Sequence, residues 1–237
     1  MAHKPQALAF KRSDVNFLLE GIQHLMLPGG VCVLDQEGKE EFAQWCDVHE
    51  LLAWFGPRSH IEGDANFLQV IPYGVIRDPW SNILGYNRAA GAGEQRLAGR
   101  FSIGFGGHVE IKDWRPELTL PNALALTLER EIAEEVELTW CTYGGVMEMY
   151  RPEIAILDTP IAIVLDPTTD VGRCHLGVVY QIDIARSHWG DNANLVAESG
   201  EHDQIVAPRW LTPDEAMEEA NPEDWTRLLL QHHFIFT

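Results

Sequence analysis

The residues in this chain whose types and spacing could do chemistry together are Arg130, Glu131, Glu134 and Glu135, in the run Arg-Glu-Ile-Ala-Glu-Glu. On a helix of about 3.6 residues per turn, the three carboxylates fall within an arc of roughly 100°. Like charges one turn apart cost a helix a few tenths of a kcal/mol even when exposed. A cation that takes oxygen ligands removes that cost. Hard divalent ions such as Mg²⁺ take such ligands and keep room for waters and substrate phosphates. An acidic helical run is ordinarily a solvated face, so the run alone assigns nothing.

Two neighbours add to it. Gly106-Gly107 closes a strand-like stretch upstream, and Arg130 stands directly before the first glutamate, where it could orient it. Together these residues resemble the Nudix box, G-x5-E-x7-R-E-U-x-E-E-x-G-U with U a bulky aliphatic residue. Arg130, Glu131, Ile132, Glu134, Glu135 and Leu138 match its second half, and Gly107 matches the opening glycine. The family places its glycine and arginine 14 positions apart. Here they stand 23 apart, so the loop between them carries nine extra residues. The middle glutamate has two candidate equivalents, Asp113 by its spacing from Gly107 and Asn122 by its spacing from Arg130; Glu137 replaces the late glycine. Outside the box, Gln69 to Tyr73, Tyr86 with Arg88, Phe101 to Val109, and His175 to Tyr180 look like a little-characterised branch of predicted Nudix phosphoesterases. The likeness runs over roughly residues 60 to 220.

The resemblance implies an α+β fold, a Nudix-like α/β/α sandwich with a mixed β-sheet between helices. It also implies a Mg²⁺- or Mn²⁺-dependent hydrolase cleaving the diphosphate linkage of a nucleoside diphosphate joined to a second group. In that reading Gly107, Glu131, Glu134 and Glu135 hold the metal. Glu131, Arg130 and a late-loop carboxylate serve catalysis; Glu201 is taken from the candidates Glu198, Glu201 and Asp203. Arg88, Arg100 and His108 are the candidate substrate-binding residues. A homodimer is the common pattern among relatives. Two other functions stay open. An isopentenyl diphosphate isomerase-like enzyme would need a cysteine near the glycine loop, and Cys174 is the loose candidate. A nucleotide-sensing module without catalysis usually loses part of the glutamate cluster, which this chain keeps whole.

Composition narrows the class. The formal charge of −19 is the wrong sign for a general nucleic-acid binder. Hydrophobic residues at 46% suffice for a packed core. No apolar run approaches the ~18 residues of a membrane span, and the N-terminus lacks a signal-peptide stretch. These features predict a cytoplasmic protein; the small-molecule diphosphate partner is what the resemblance implies. The four cysteines show no C-x-x-C, so they read as buried free thiols. Between Arg77 and Arg115 the local balance is two positive charges, which could meet phosphates.

Elements must position these groups. Residues 1–60 read as a lead-in segment packing on a main domain at 61–237. Within it, Ser13 caps a helix through Met26, Val31 to Leu34 is a short strand, and Glu40 to Trp54 carries a loose helical stripe. Strands are expected over Phe67 to Arg77, Ile83 to Arg88, Phe101 to Val109, Trp140 to Met149, Ile154 to Leu165, His175 to Ile184 and Ile205 to Leu211. Asn122 is the expected cap of the acidic helix, whose Leu124, Leu128, Ile132 and Val136 recur every four residues and should pack on the core. His175 could face either substrate or core, and core packing is the reading preferred. Asp191 to Asp203 reads as polar and irregular. Thr212 and Pro213 should open a helix, and a final one should run from about Pro222 to His232.

Overall fold

A computed structural model of the chain describes residues 6–62, 64–90, 97–115, 117–142, 159–186, 193–200 and 205–232. In chain order its elements are β1 (Gln6–Lys11), α1 (Arg12–Gly21), β2 (Met26–Leu27), β3 (Val31–Val33), α2 (Gln36–His49), β4 (Trp54–Pro57), α3 (Arg58–Ile61), β5 (Phe67–Arg77), β6 (Ile83–Arg88), β7 (Phe101–Ser102), β8 (Gly104–Gly106), α4 (Leu120–Glu135), β9 (Val136–Thr142), β10 (Ala162–Val164), β11 (His175–Asp183), β12 (Ala193–Ser199), β13 (Ile205–Leu211), α5 (Pro213–Glu218) and α6 (Asp224–Gln231). The chain divides into two compact units. One is Met1–Tyr73, Gly106–Glu129 and Leu157–Tyr180; the other is Gly74–Phe105, Arg130–Ile156 and Gln181–Thr237. The division falls within β5, α4 and β11.

In the first unit, β1 pairs antiparallel with both β4 and β5, Ala9 standing opposite Trp54 and Gln69. Ala7 to Phe10 are all buried, as a strand covered on both faces requires. β1 runs straight into α1. That leaves Lys11 at the cap position and Ser13 inside the helix, not capping it. The Arg12 N–H is satisfied by Asn66 O at 2.8 Å, so no side-chain cap is needed there. Asp35 caps α2 by accepting from the Gly38 N–H at 2.9 Å. Phe42, Trp45 and Cys46 bury its apolar stripe. The helix stops at His49, and Trp54 opens β4 instead of extending the stripe. β10 lies between β3 and β11, Ala162 opposite Val33 and Val179. Of the strand expected over Ile154 to Leu165, residues 154–158 fall outside the described residues, and the strand itself is Ala162–Val164. Gly106 permits β8 to lie against β5: a Cβ there would stand 2.0 Å from the Pro72 carbonyl oxygen. The loop before α4 is held by Asp113, which accepts from the Glu110 N–H at 3.0 Å, and by Trp114, whose ring meets Phe55 edge-on at 6.2 Å. α4 begins at Leu120, two residues before the expected cap. Thr119 Oγ1 accepts from the Asn122 N–H at 3.4 Å, so Thr119 takes the capping role assigned to Asn122.

In the second unit, Asp78 turns β5 into β6 by accepting from the Trp80 and Asn82 N–H groups, each at 2.8 Å. β6 pairs with β7 and with β13, where a bulge puts Ala207 at φ 51. α4 passes into β9 with no linking residue. β9 therefore begins at Val136, earlier than the expected Trp140; residues 143–149 lie outside the described ones. β12 pairs with β9 from Val136↔Ser199 to Thr142↔Ala193. Over Ala193–Ser199 this replaces the irregular segment expected from Asp191 to Asp203; residues 191–192 and 201–203 lie outside the described ones. Ala193 and Leu195 are buried while Asn194 and Val196 are exposed, a period-2 pattern diluted in sequence by polar neighbours. Thr212 and Glu215 form a reciprocal capping box with Pro213 at the first helical position, as expected. The β1–β4, β1–β5, β3–β10, β10–β11, β5–β6, β6–β7, β6–β13 and β9–β12 pairs are antiparallel, and Phe101–Pro222 is a parallel bridge. Cys32, Cys46 and Cys174 are buried free thiols, whereas Cys141 is partly exposed.

Candidate active site

The stripe Leu124, Leu128, Ile132 and Val136 is buried throughout. Burying that side of α4 carries Glu135 inward, leaving it 2% exposed, while Glu131 and Glu134 stay nearer the surface. Arg130 Nη1 donates to Glu131 Oε1 at 2.7 Å and to Glu134 Oε2 at 3.3 Å. One guanidinium thus spans two of the three acids and neutralises part of their repulsion.

Glu135 is differently placed. Its Oε1 lies 3.9 Å from Arg88 Nη1, and its buried Oε2 has no hydrogen-bond partner among the described residues. Burial pushes this carboxyl up to about 7; Arg88 pulls it down, and Glu131, Glu223 and Glu134 push it further up. Arg88 itself extends from the end of β6. Its Nε donates to Glu223 Oε1 at 2.6 Å, and its guanidinium lies 5.6 Å from the Tyr86 ring centroid. Arg100 donates to Asp224 at 3.1 Å. Both arginines expected to meet phosphates are thus engaged by carboxylates at the start of the last helix.

The late segment reaches the same helix end. The Gly200 N–H donates to Glu135 O at 2.8 Å, and a Cβ on Gly200 would stand 2.5 Å from Glu134 O. Only glycine allows this approach. Glu198 is exposed and pairs across the strands with Glu137. Glu201 and Asp203 lie outside the described residues. Sequence reasoning missed Glu223 and Gly200; the one local signal for the second was a glycine at the head of an acidic loop.

Gly107 and His108 belong to the first unit, on the segment after β8. There His175 Nδ1 donates to Val171 O at 2.7 Å, which leaves its Nε2 to accept from the Gln69 amide at 3.2 Å. His108 Nε2 stands 3.3 Å from the same nitrogen. Burial, then Arg58 and His175, hold the His108 imidazole well below its usual range. His108 is therefore a neutral hydrogen-bonding ring at pH 7, not a cation. His175 packs as expected, but half-buried and within this polar cluster.

The donor chemistry of the acidic trio suits a hard divalent ion, and the buried Oε2 of Glu135, which has no partner among the described residues, is the kind of atom such an ion satisfies. As arranged, Arg130 bridges Glu131 and Glu134, and no group of three His, Cys, Asp or Glu side chains among the described residues is placed to hold a metal. Among the described residues, no helix is long and apolar enough to cross a membrane.

No protein-family model matches the chain. Protein YmaB of Bacillus subtilis (strain 168) is 28% identical over 162 residues, which is 68% of each protein. Among solved structures, Tm1382, described as a proposed Nudix hydrolase, superposes with a TM-score of 0.60 at 22% identity over 96% of this chain and 99% of that one. A looser likeness links the chain to the MutT protein of Methanosarcina mazei Go1, with a TM-score of 0.38 at 14% identity over 70% of this chain and 91% of that one. The match to Tm1382 shows the fold: a Nudix-type α/β/α sandwich, with a mixed β-sheet flanked by helices.

Proposed function

We propose that this chain hydrolyses phosphoric anhydrides with the aid of Mg²⁺ or Mn²⁺, cleaving the diphosphate linkage of a nucleoside diphosphate joined to a second group. The observation that carries the reading is Glu135: a buried carboxylate with an oxygen that has no partner among the described residues, one turn from Glu131 on a Nudix-type fold. Such a group is costly to bury without a compensating cation. Glu131, Glu134 and Glu135 would hold the ion. When bound, the ion supplies charge neutralisation for the diphosphate and acidity for an attacking water. Arg130 orients Glu131 through its 2.7 Å contact. Glu131, or Glu201 from the late loop, accepts the proton released by the water. Arg100 and His108 lie on segments proposed to meet the substrate, His108 as a neutral partner. A cytoplasmic setting and a homodimer belong to the same proposal.

A second reading, nucleotide sensing without cleavage, draws on one observation: Arg130 already occupies Glu131 and Glu134. The test is a phosphate-release screen over diphosphate compounds with Mg²⁺ and Mn²⁺, run beside Glu135→Gln. Turnover that is lost in the variant favours the hydrolase. Tight nucleotide binding with no product after long incubation favours the sensor and overturns the hydrolase.

A further inference from the structure

Glu223 has no role in the motif and none in capping: it precedes α6, yet its side chain makes no cap hydrogen bond. Its backbone is nevertheless tightly placed. The Glu223 N–H donates to Phe101 O at 2.8 Å, and the Phe101 N–H donates to Asn221 O at 3.0 Å. Phe101 in turn stands opposite Asn87 in the β6–β7 pair. This register sets Glu223 beside Arg88, the next residue along β6. Arg88 is steadied from below by Tyr86, whose hydroxyl donates to Gly104 O at 2.6 Å.

The result is one buried guanidinium between two buried carboxylates. Glu223 Oε1 takes Arg88 Nε at 2.6 Å, while Glu135 Oε1 remains 3.9 Å from Nη1, beyond hydrogen-bonding distance. Among the described residues, these two are the carboxylates within 4 Å of Arg88. We infer that Glu223 is a positioning residue which engages Arg88 and so keeps Arg88 from closing on Glu135, leaving the Glu135 carboxylate open to a cation. The inference rests on the reading of Glu135 as a metal ligand. Without the Glu223 charge, a shift of about 1 Å would bring Arg88 into a direct charge-assisted bond with Glu135. A cation would then have to displace a guanidinium to reach that oxygen.

The experiment measures binding of Mn²⁺ alone, by calorimetry and by the loss of the free-ion electron paramagnetic resonance signal. It compares the natural chain, Glu135→Gln, Glu223→Gln and the double variant Arg88→Gln/Glu223→Gln. The expected pattern is binding by the natural chain, none by Glu135→Gln, and binding weakened about tenfold or more by Glu223→Gln. The double variant, which has no arginine left to close, should bind within about threefold of the natural chain. Removing Arg88 also relieves the buried charge that Glu223→Gln leaves unpaired, so urea denaturation is run on each variant: a purely structural role would weaken binding only where Glu223→Gln has lost its fold, whereas the inference requires weakened binding in a Glu223→Gln chain shown to be folded under the titration conditions. Unchanged affinity in Glu223→Gln overturns the inference, as does a double variant no better than the single one. Failure of the natural chain to bind Mn²⁺, or retained binding in Glu135→Gln, overturns the metal reading and this inference with it.

Discussion

Glu135→Gln should stabilise the metal-free protein while removing its response to metal. The folded carboxyl sits at about 7 against an ordinary 4.5, mainly because it is buried. A difference of that size corresponds to roughly 3 kcal/mol between the two protonation states. The sign follows from proton binding. The folded state holds this proton more tightly than the unfolded chain, so the stability it contributes is complete below about 4.5 and is lost as pH rises to about 7. Glutamine resembles the protonated carboxyl and carries no such loss. In excess chelator, urea denaturation should show a gain of about 1 kcal/mol for the variant at pH 5.5 and about 3 kcal/mol at pH 8.5. The larger gain corresponds to a melting-point rise of roughly 6–12 °C. With Mn²⁺ present, the natural chain should gain stability and the variant should not. A variant less stable than the natural chain at pH 8.5, or a gain equal at both pH values, would refute the claim that Glu135 is a buried, poorly compensated acid.

Three other perturbations test neighbouring parts of the structure. Gly200→Ala places a Cβ 2.5 Å from Glu134 O, so it should cost about 1–3 kcal/mol in urea denaturation and lower any turnover, because backbone must move to admit it. His108 is held neutral, with its folded pKa below 6.5; its contribution is complete above 6.5 and is lost as pH falls below it. The stability of His108→Gln between pH 7.5 and 5.5 should therefore fall less steeply than that of the natural chain. Burial raises the Cys32 thiol to about 12 and lifts Cys46 as well, so iodoacetamide at pH 8 should leave both unmodified in the native protein, as peptide mass spectrometry would read directly.

What the sequence disclosed depended on distance along the chain. The apolar stripe of α4 and its acidic neighbours were legible because one helix carries both, and period four needs no partner to be seen. The Thr212–Pro213 start of α5 was legible for the same reason. Caps were less so: Ser13 and Asn122 are suitable residues, but β1 leads directly into α1, and Thr119 reaches the α4 terminus first. β12 was hidden because only two of its seven residues are buried. The Arg88–Glu223 pair spans 135 residues, and no local pattern marks it. The charge of Arg88 suggested a phosphate contact; the fold adds a carboxylate partner that no local pattern announced.

The direct passage from α4 to β9 has a consequence for insertions and deletions. Upstream of α4, the loop holds nine residues more than the Nudix box and still delivers the helix. Downstream, Glu135 ends the helix and Val136 begins the strand, so a single peptide bond separates a 3.6-residue period from a period of two. Removing one residue there would turn the acids by roughly 100° if the strand kept its place. If the helix kept its place, it would exchange the inner and outer faces of β9 and turn Trp140 outward. The seven-residue pairing with β12 holds that strand in register. Length variation among proteins of this architecture should therefore collect before the acidic helix and vanish between Glu131 and Thr142, the interval from which the site takes its spacing.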